Sequence, residues 1–254
     1  MTPEMQAELD RLWAMPRGEA TSTDIAGDIR LADGPSFVSQ FRAIVTDEIY
    51  AFEKSGDDPP VIVDCGANIG LATRWWLSRW PDARIEAFEP DPDVFAILQA
   101  NLAGVPDTVR LHQVALAAEA GTATFDRLGS DAGRLDDRAQ GPTATTVPTV
   151  TLSSVLADLE HVDLLKIDIE GAEVEVLHEA EHLLGRVDRV FVEYHSRVGE
   201  RQQLGNLLNL LRRAGFRYYM EVPRTSQRPF VSVSQEVDMD VLVEIWAHRI
   251  ETPR

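Results

Sequence analysis

From residue 61 onward the chain alternates two periodicities, and that alternation sets the expected fold. Apolar runs at 61–65, 84–88, 109–114, 163–168 and 189–194 have the length and branched side chains of buried strands, while 70–80, 92–103 and 171–184 repeat apolar residues at helical spacing. Strands that are apolar on both faces and separated by helices predict an α/β fold, a doubly wound and mostly parallel sheet with helices on both sides. Residues 1–55 break the rhythm: a short helix from Pro3 to Met15, a turn-rich stretch, then helical spacing from Ser36 to Phe52 through Phe37, Phe41, Ile44 and Ile49. They are expected to form an N-terminal cap segment, with the acidic, proline-bearing run at 55–60 handing over to a domain at 56–254. Between 116 and 150, Gly121 to Phe125 reads as a short strand and Gly129 to Pro148 as a mobile loop, either a lid over the strand ends or an ordinary exposed connection. Glu200 to Ala214 is amphipathic, and Phe216 to Val222 with Val237 to Trp246 reads as a closing antiparallel pair.

Composition narrows the partners. A chain of 254 residues with 44% hydrophobic content can bury a sizeable core, and its net charge of −18 repels phosphate backbones. Nucleic acid is therefore not an expected partner. No window approaches the roughly 18 apolar residues of a membrane span, and MTPEMQAELDRLW is too acidic for a signal peptide. The single cysteine, Cys65, leaves no internal disulfide framework, which fits a reducing cytoplasm.

The chemistry gathers where strands run out into polar groups. VIVDCGANIG, Val61 to Gly70, is a buried strand breaking into a glycine turn and then a helix, the shape of a nucleotide cradle. It lacks the third glycine of the dinucleotide fingerprint and the lysine of a phosphate-binding loop, so a ligand with a ribose but no phosphates fits better. S-adenosylmethionine is such a ligand. Glu89, ending the next strand nineteen residues after Gly70, is placed to accept ribose hydroxyls, or else to cap the helix behind Pro90. Asp64 is a candidate for the ligand's amino group, directly or through water. In LLKIDIEGAE, 164–173, strand alternation puts Lys166 and Asp168 on one face; Asp168 is a candidate at the methyl-bearing end, and Lys166 reads equally as half of a buried ion pair. In FVEYH, 191–195, His195 is the candidate base, with Glu193 to orient it, or simply a strand cap. His178 and His182 have metal spacing but no third ligand, and no metal is assigned, although Asp168, Glu170, Glu193 and His195 come from neighbouring strand ends and could converge on a divalent ion.

Together VIVDCGANIG, AFEPDP at 87–92, LLKIDIEGAE and FVEYH resemble the FkbM-type S-adenosylmethionine-dependent methyltransferases over roughly residues 30–222. The resemblance implies a Rossmann-like seven-stranded sheet with one antiparallel strand, and methyl transfer to a hydroxyl oxygen of a natural product or sugar. It carries cofactor binding onto Asp64, Gly66, Asn68, Gly70 and Glu89, and more weakly onto Glu48 and Tyr50. Where many relatives of this fold hold adenine with an acid, this chain has Gln113. The expected partner is a small hydroxylated acceptor, with no membrane and no nucleic acid, and a homodimer is compatible with the sequence. Transfer to nitrogen or a carboxylate, or a cofactor-binding module without turnover, are the rival readings.

Overall fold

The computed structural model describes residues 2–54, 56–127, 133–136, 138–226, 228–231 and 239–249. In chain order its elements are α1 (Pro3–Trp13), β1 (Thr21–Thr23), β2 (Ile29–Leu31), α2 (Gly34–Phe41), a π-helical turn (Arg42–Thr46), β3 (Val61–Cys65), α3 (Leu71–Arg79), β4 (Arg84–Phe88), α4 (Pro92–Asn101) and β5 (Val109–His112). There follow β6 (Ala115–Leu116), β7 (Gly121–Asp126), β8 (Arg134–Leu135), β9 (Ala144–Val150), α5 (Leu152–Ala157), β10 (Leu164–Ile167) and α6 (Glu173–Glu179). A 3-10 turn (Glu181–Arg186), β11 (Arg189–Arg197), α7 (Leu204–Arg213), β12 (Phe216–Thr225) and β13 (Met239–Arg249) complete the chain.

Seven strands form the main sheet in the order β12-β13-β11-β10-β3-β4-β5. β10 runs parallel to β3 and to β11, and β4 to β5, whereas β13 is antiparallel to both β11 and β12. This is the expected α/β doubly wound, mostly parallel architecture with one reversed strand. Winding changes direction between β3 and β10, and in such sheets the carboxyl ends of the strands at that reversal are where ligands bind.

The chain divides into two compact units, one of Met1–Pro60, Ala67–Val114 and Ala123–Val147, the other of Val61–Gly66, Ala115–Thr122 and Pro148–Arg254. In the first, the N-terminal segment is tied to α3 and α4 by polar groups. The Asn101 amide bonds Arg30 N and O and Ile69 O at 2.8–2.9 Å, and Arg74 reaches the carbonyls of Ala26, Gly27, Asp28 and Asn101. Trp76 is fully buried, its ring 5.7 Å from that of Tyr50. In the second unit, β10 and the middle of β11 are buried on both faces, as central parallel strands require. Here the register sets Glu193 opposite Glu244 and Glu244 opposite Glu221, a row of three carboxylates across the reversed strand.

The structure departs from the sequence reading in three places. The helical spacing expected to reach Phe52 ends at Thr46, because α2 passes into the π-helical turn closed by Asp47 N on Arg42 O at 2.8 Å. The helix expected over 171–184 is α6 and a separate 3-10 turn, broken at Ala180. Among the described residues, 115–150 holds not one short strand but four, in a second sheet ordered β6-β9-β7-β8; residues 129–132 and 137 of the expected loop lie outside the described residues. β9 buries Val147 and Thr149 while exposing Thr146 and Pro148, a period-2 pattern carried by threonines rather than aliphatic residues.

Candidate active site

In the first unit the glycine turn is organised by one carboxylate. Glu89, at the end of β4 and largely buried, accepts Asn68 N on Oε2 at 3.0 Å and Asp91 N on Oε1 at 2.9 Å. Its own N donates to His112 O at 3.0 Å. Asn68 takes a left-handed φ of 49° and accepts Ile69 N on its side-chain oxygen at 2.7 Å. Capping of α4 falls to Asp91, which accepts Asp93 N and Val94 N. A carboxylate oxygen carries two lone pairs, so an oxygen fixed by a backbone N–H can also accept from a hydroxyl of a diol. Gly70 sits at φ 85° before α3, where a Cβ would come within 2.8 Å of Leu98 Cδ1. Gln113 is exposed just beyond β5, and the neighbouring His112 ring stacks on Phe88 at 4.5 Å. Glu48, with φ 54°, pairs with Arg79. Tyr50 is a core residue against Trp76.

In the second unit β3, β10 and β11 deliver a dense charge cluster. The Lys166 ammonium lies 3.0 Å from Asp64 Oδ1 and donates to Gly66 O at 2.6 Å, both side chains being enclosed. Asp64 is thus committed to Lys166, which satisfies the ion-pair reading of that lysine. Gly66, at φ 87°, has the Asp168 carbonyl oxygen only 1.8 Å from where a Cβ would stand, so this glycine is demanded by backbone packing. Positions 193, 195 and 197 share one side of β11, by strand alternation. His195 Nδ1 is 3.1 Å from Glu173 Oε1, and Nε2 is 3.4 Å from Glu193 Oε1 and 3.5 Å from Glu170 Oε2. Arg197 holds Glu170 at 2.8 Å, with Glu170 itself strained at φ 61°. Asp168, 3.8 Å from Lys166, keeps 27% of its side chain exposed, against 2% for His195.

Protonation follows from this crowding. Burial disfavours a charged imidazole, but Glu170, Glu173 and Glu193 outweigh it and hold His195 well above the ordinary histidine value. The acids around the ring thus favour its protonated form. Burial, reinforced by Glu193 and opposed by Lys166 and His195, pushes Asp168 well above the usual carboxylate range. Burial also raises Glu170. Glu193 is the residue expected to orient His195, but the carboxylate nearest the ring is Glu173. Arg197 was missed, and its spacing of two and four from His195 and Glu193 was the available signal. Asp168, Glu193 and His195 place ligand atoms within 4.8 Å of one another, as do His161, Asp163 and Asp188 elsewhere. Among the described residues no helix is long and apolar enough to cross a membrane.

Residues 64–218 match the family model described as the methyltransferase FkbM domain. The chain is 33% identical over 205 residues to methyltransferase sdnD of Sordaria araneosa, covering 66% of this chain and 78% of that one. To the 31-O-demethyl-FK506 methyltransferase FkbM of Streptomyces tacrolimicus it is 30% identical over 240 residues, covering 76% and 90%. To the 2-O-methyltransferase NoeI of Sinorhizobium fredii it is 29% identical over 154 residues, covering 53% and 63%.

Proposed function

Because the chain belongs to the FkbM methyltransferase family, we propose that it moves the methyl group of S-adenosylmethionine to a hydroxyl oxygen of a small molecule, a natural product or a sugar. The observation that carries the reading is Glu89, a buried carboxylate locked by two backbone N–H groups beside a glycine turn that has no phosphate-binding signature. Glu89 takes the ribose, and Asn68 and Gly70 shape the turn around it. Asp64 and Gly66 fix the backbone that precedes the turn, Gln113 serves the adenine, and Glu48 serves the methionine end. Oxygen as acceptor is supported by relatives whose names specify a 31-O and a 2-O position.

In the transfer the acceptor oxygen attacks the methyl carbon, the carbon–sulfur bond breaks with its electron pair going to sulfur, and the hydroxyl proton leaves to a carboxylate. Asp168 suits that last role, since it is the more open member of the cluster and its raised pKa brings it closer to the proton it must accept. His195, between Glu173 on one ring nitrogen and Glu193 and Glu170 on the other, holds those carboxylates in place. Alignment of acceptor and sulfonium supplies much of the rate. Calorimetry with S-adenosylmethionine tests the cofactor assignment: Glu89→Ala should weaken binding by about 1–3 kcal/mol, the worth of charge-assisted hydrogen bonds. Unchanged affinity would remove Glu89 from the ribose. Transfer of labelled methyl to hydroxylated acceptors, and not to amines or carboxylates, tests the oxygen.

A further inference from the structure

We propose that Asp168, Glu193 and His195 form a site for a divalent cation of the magnesium or manganese class, which receives the acceptor oxygen in the reaction proposed above. Each offers one ligand atom, and these lie within 4.8 Å of one another. An octahedral ion with ligands near 2.1 Å sets neighbouring ligand atoms about 3.0 Å apart, so atoms already within 4.8 Å of one another would close by about 2 Å or less. Two carboxylates with one imidazole make a mainly oxygen donor set, leaving three positions for water and acceptor oxygens.

Two further features point to an ion. A histidine that binds metal characteristically gives its other ring N–H to a carboxylate, and His195 does so: Nδ1 faces Glu173 Oε1 at 3.1 Å while Nε2 faces the open carboxylates. Glu173 is itself enclosed and fixed by Gly171 N at 2.7 Å, so the ring is held by a rigid anchor. Charge is the second feature. Asp64, Asp168, Glu170, Glu173 and Glu193 outnumber Lys166, Arg197 and His195 by two even if the ring is charged, and Glu244 stands in register beside Glu193. Lys166 lies nearer Asp64 than Asp168, at 3.0 against 3.8 Å, and Arg197 holds Glu170, while Asp168 and Glu193 are the more exposed acids of the cluster. A divalent ion there would polarise a bound hydroxyl and lower its pKa, so that with the ion in place Asp168 serves as a ligand and the proton leaves to water.

The test is a titration of Mn²⁺ into chelator-treated full-length protein, followed by electron paramagnetic resonance and calorimetry. One saturable ion per chain is expected, weakened tenfold or more in Asp168→Asn and in Glu193→Gln, and ten- to a hundredfold in Glu173→Gln, the usual effect of losing a supporting carboxylate. His161→Ala, in the other cluster, should leave binding intact. No saturable binding, binding unchanged in the Asp168 and Glu193 variants, or loss of binding in His161→Ala would overturn the site. Asp168→Asn and Glu193→Gln, each removing one partly open acid from a crowded cluster, should not lower the urea midpoint, which separates lost ligation from lost fold. S-adenosylmethionine affinity measured on the same chelated samples distinguishes failure of the ion site, with cofactor binding kept, from failure of the methyl-transfer reading, with cofactor binding absent.

Discussion

Replacing Lys166 by Met should cost about 3–5 kcal/mol, because it strands the enclosed Asp64 carboxylate without its counter-charge. At 3.0 Å and an effective dielectric near 20, the pair attracts by about 5.5 kcal/mol, an amount that only offsets the desolvation of two buried charges while both are present. The Gly66 carbonyl, which accepts from the ammonium at 2.6 Å, loses its partner as well. The double variant Asp64→Asn, Lys166→Met removes both charges and should recover most of the loss, giving an interaction energy of at least about 2 kcal/mol in a double-mutant cycle. Urea unfolding followed by circular dichroism supplies the four stabilities. Lys166→Met within 1 kcal/mol of the parent, on the order of a surface substitution, would refute the reasoning, as would a double variant no better than the single. Alkaline titration gives a second check. Burial works against the ammonium, but Asp64 and Asp168 outweigh it and hold Lys166 above the ordinary lysine value. The raised group contributes its full stability below about pH 10.5 and loses it as pH rises through the folded value. The parent should therefore lose stability in that range and Lys166→Met should not lose this component.

Two further predictions concern the same strand ends. Gly66→Ala forces a Cβ into the Asp168 carbonyl at a left-handed φ, and a loss above about 4 kcal/mol is expected, read as absence of folded protein or a collapsed melting temperature; a normal melt would contradict the contact. Cys65 is enclosed, and burial together with Asp64 raises its thiol far above the ordinary range, so it should resist iodoacetamide in the native state at pH 8 and react in urea; rapid native labelling would contradict that burial.

What could be read in the residue order was whatever depends on neighbours along the chain. β3 into its glycine turn, β4 into Glu89, and β10 and β11 into their polar tips follow from runs of branched apolar residues ending in acids. The second sheet was hidden because β9 builds its buried side from Val147 and Thr149 around Pro148, a composition shared with loops. The electrostatic setting of His195 was hidden for another reason. It depends on acids contributed by α6, β11 and the turn at Glu170, and which of these meet an imidazole is decided by strand order, which no local pattern encodes. The resemblance to a family supplied residues but not their protons.

The glutamate row across the reversed strand has an outcome for life in a crowded solution. Among the described residues β12 is an edge strand of the main sheet, and Met220 and Val222 stand exposed on it with Glu221 between them. An unpaired edge with apolar flanks is a template on which another chain can add a strand. A glutamate in the middle of that edge, backed in register by Glu244 and Glu193, makes any incoming strand meet a line of negative charge. A line of like charge at such an edge works against fibrous self-association, most strongly in dilute salt, where screening is weakest.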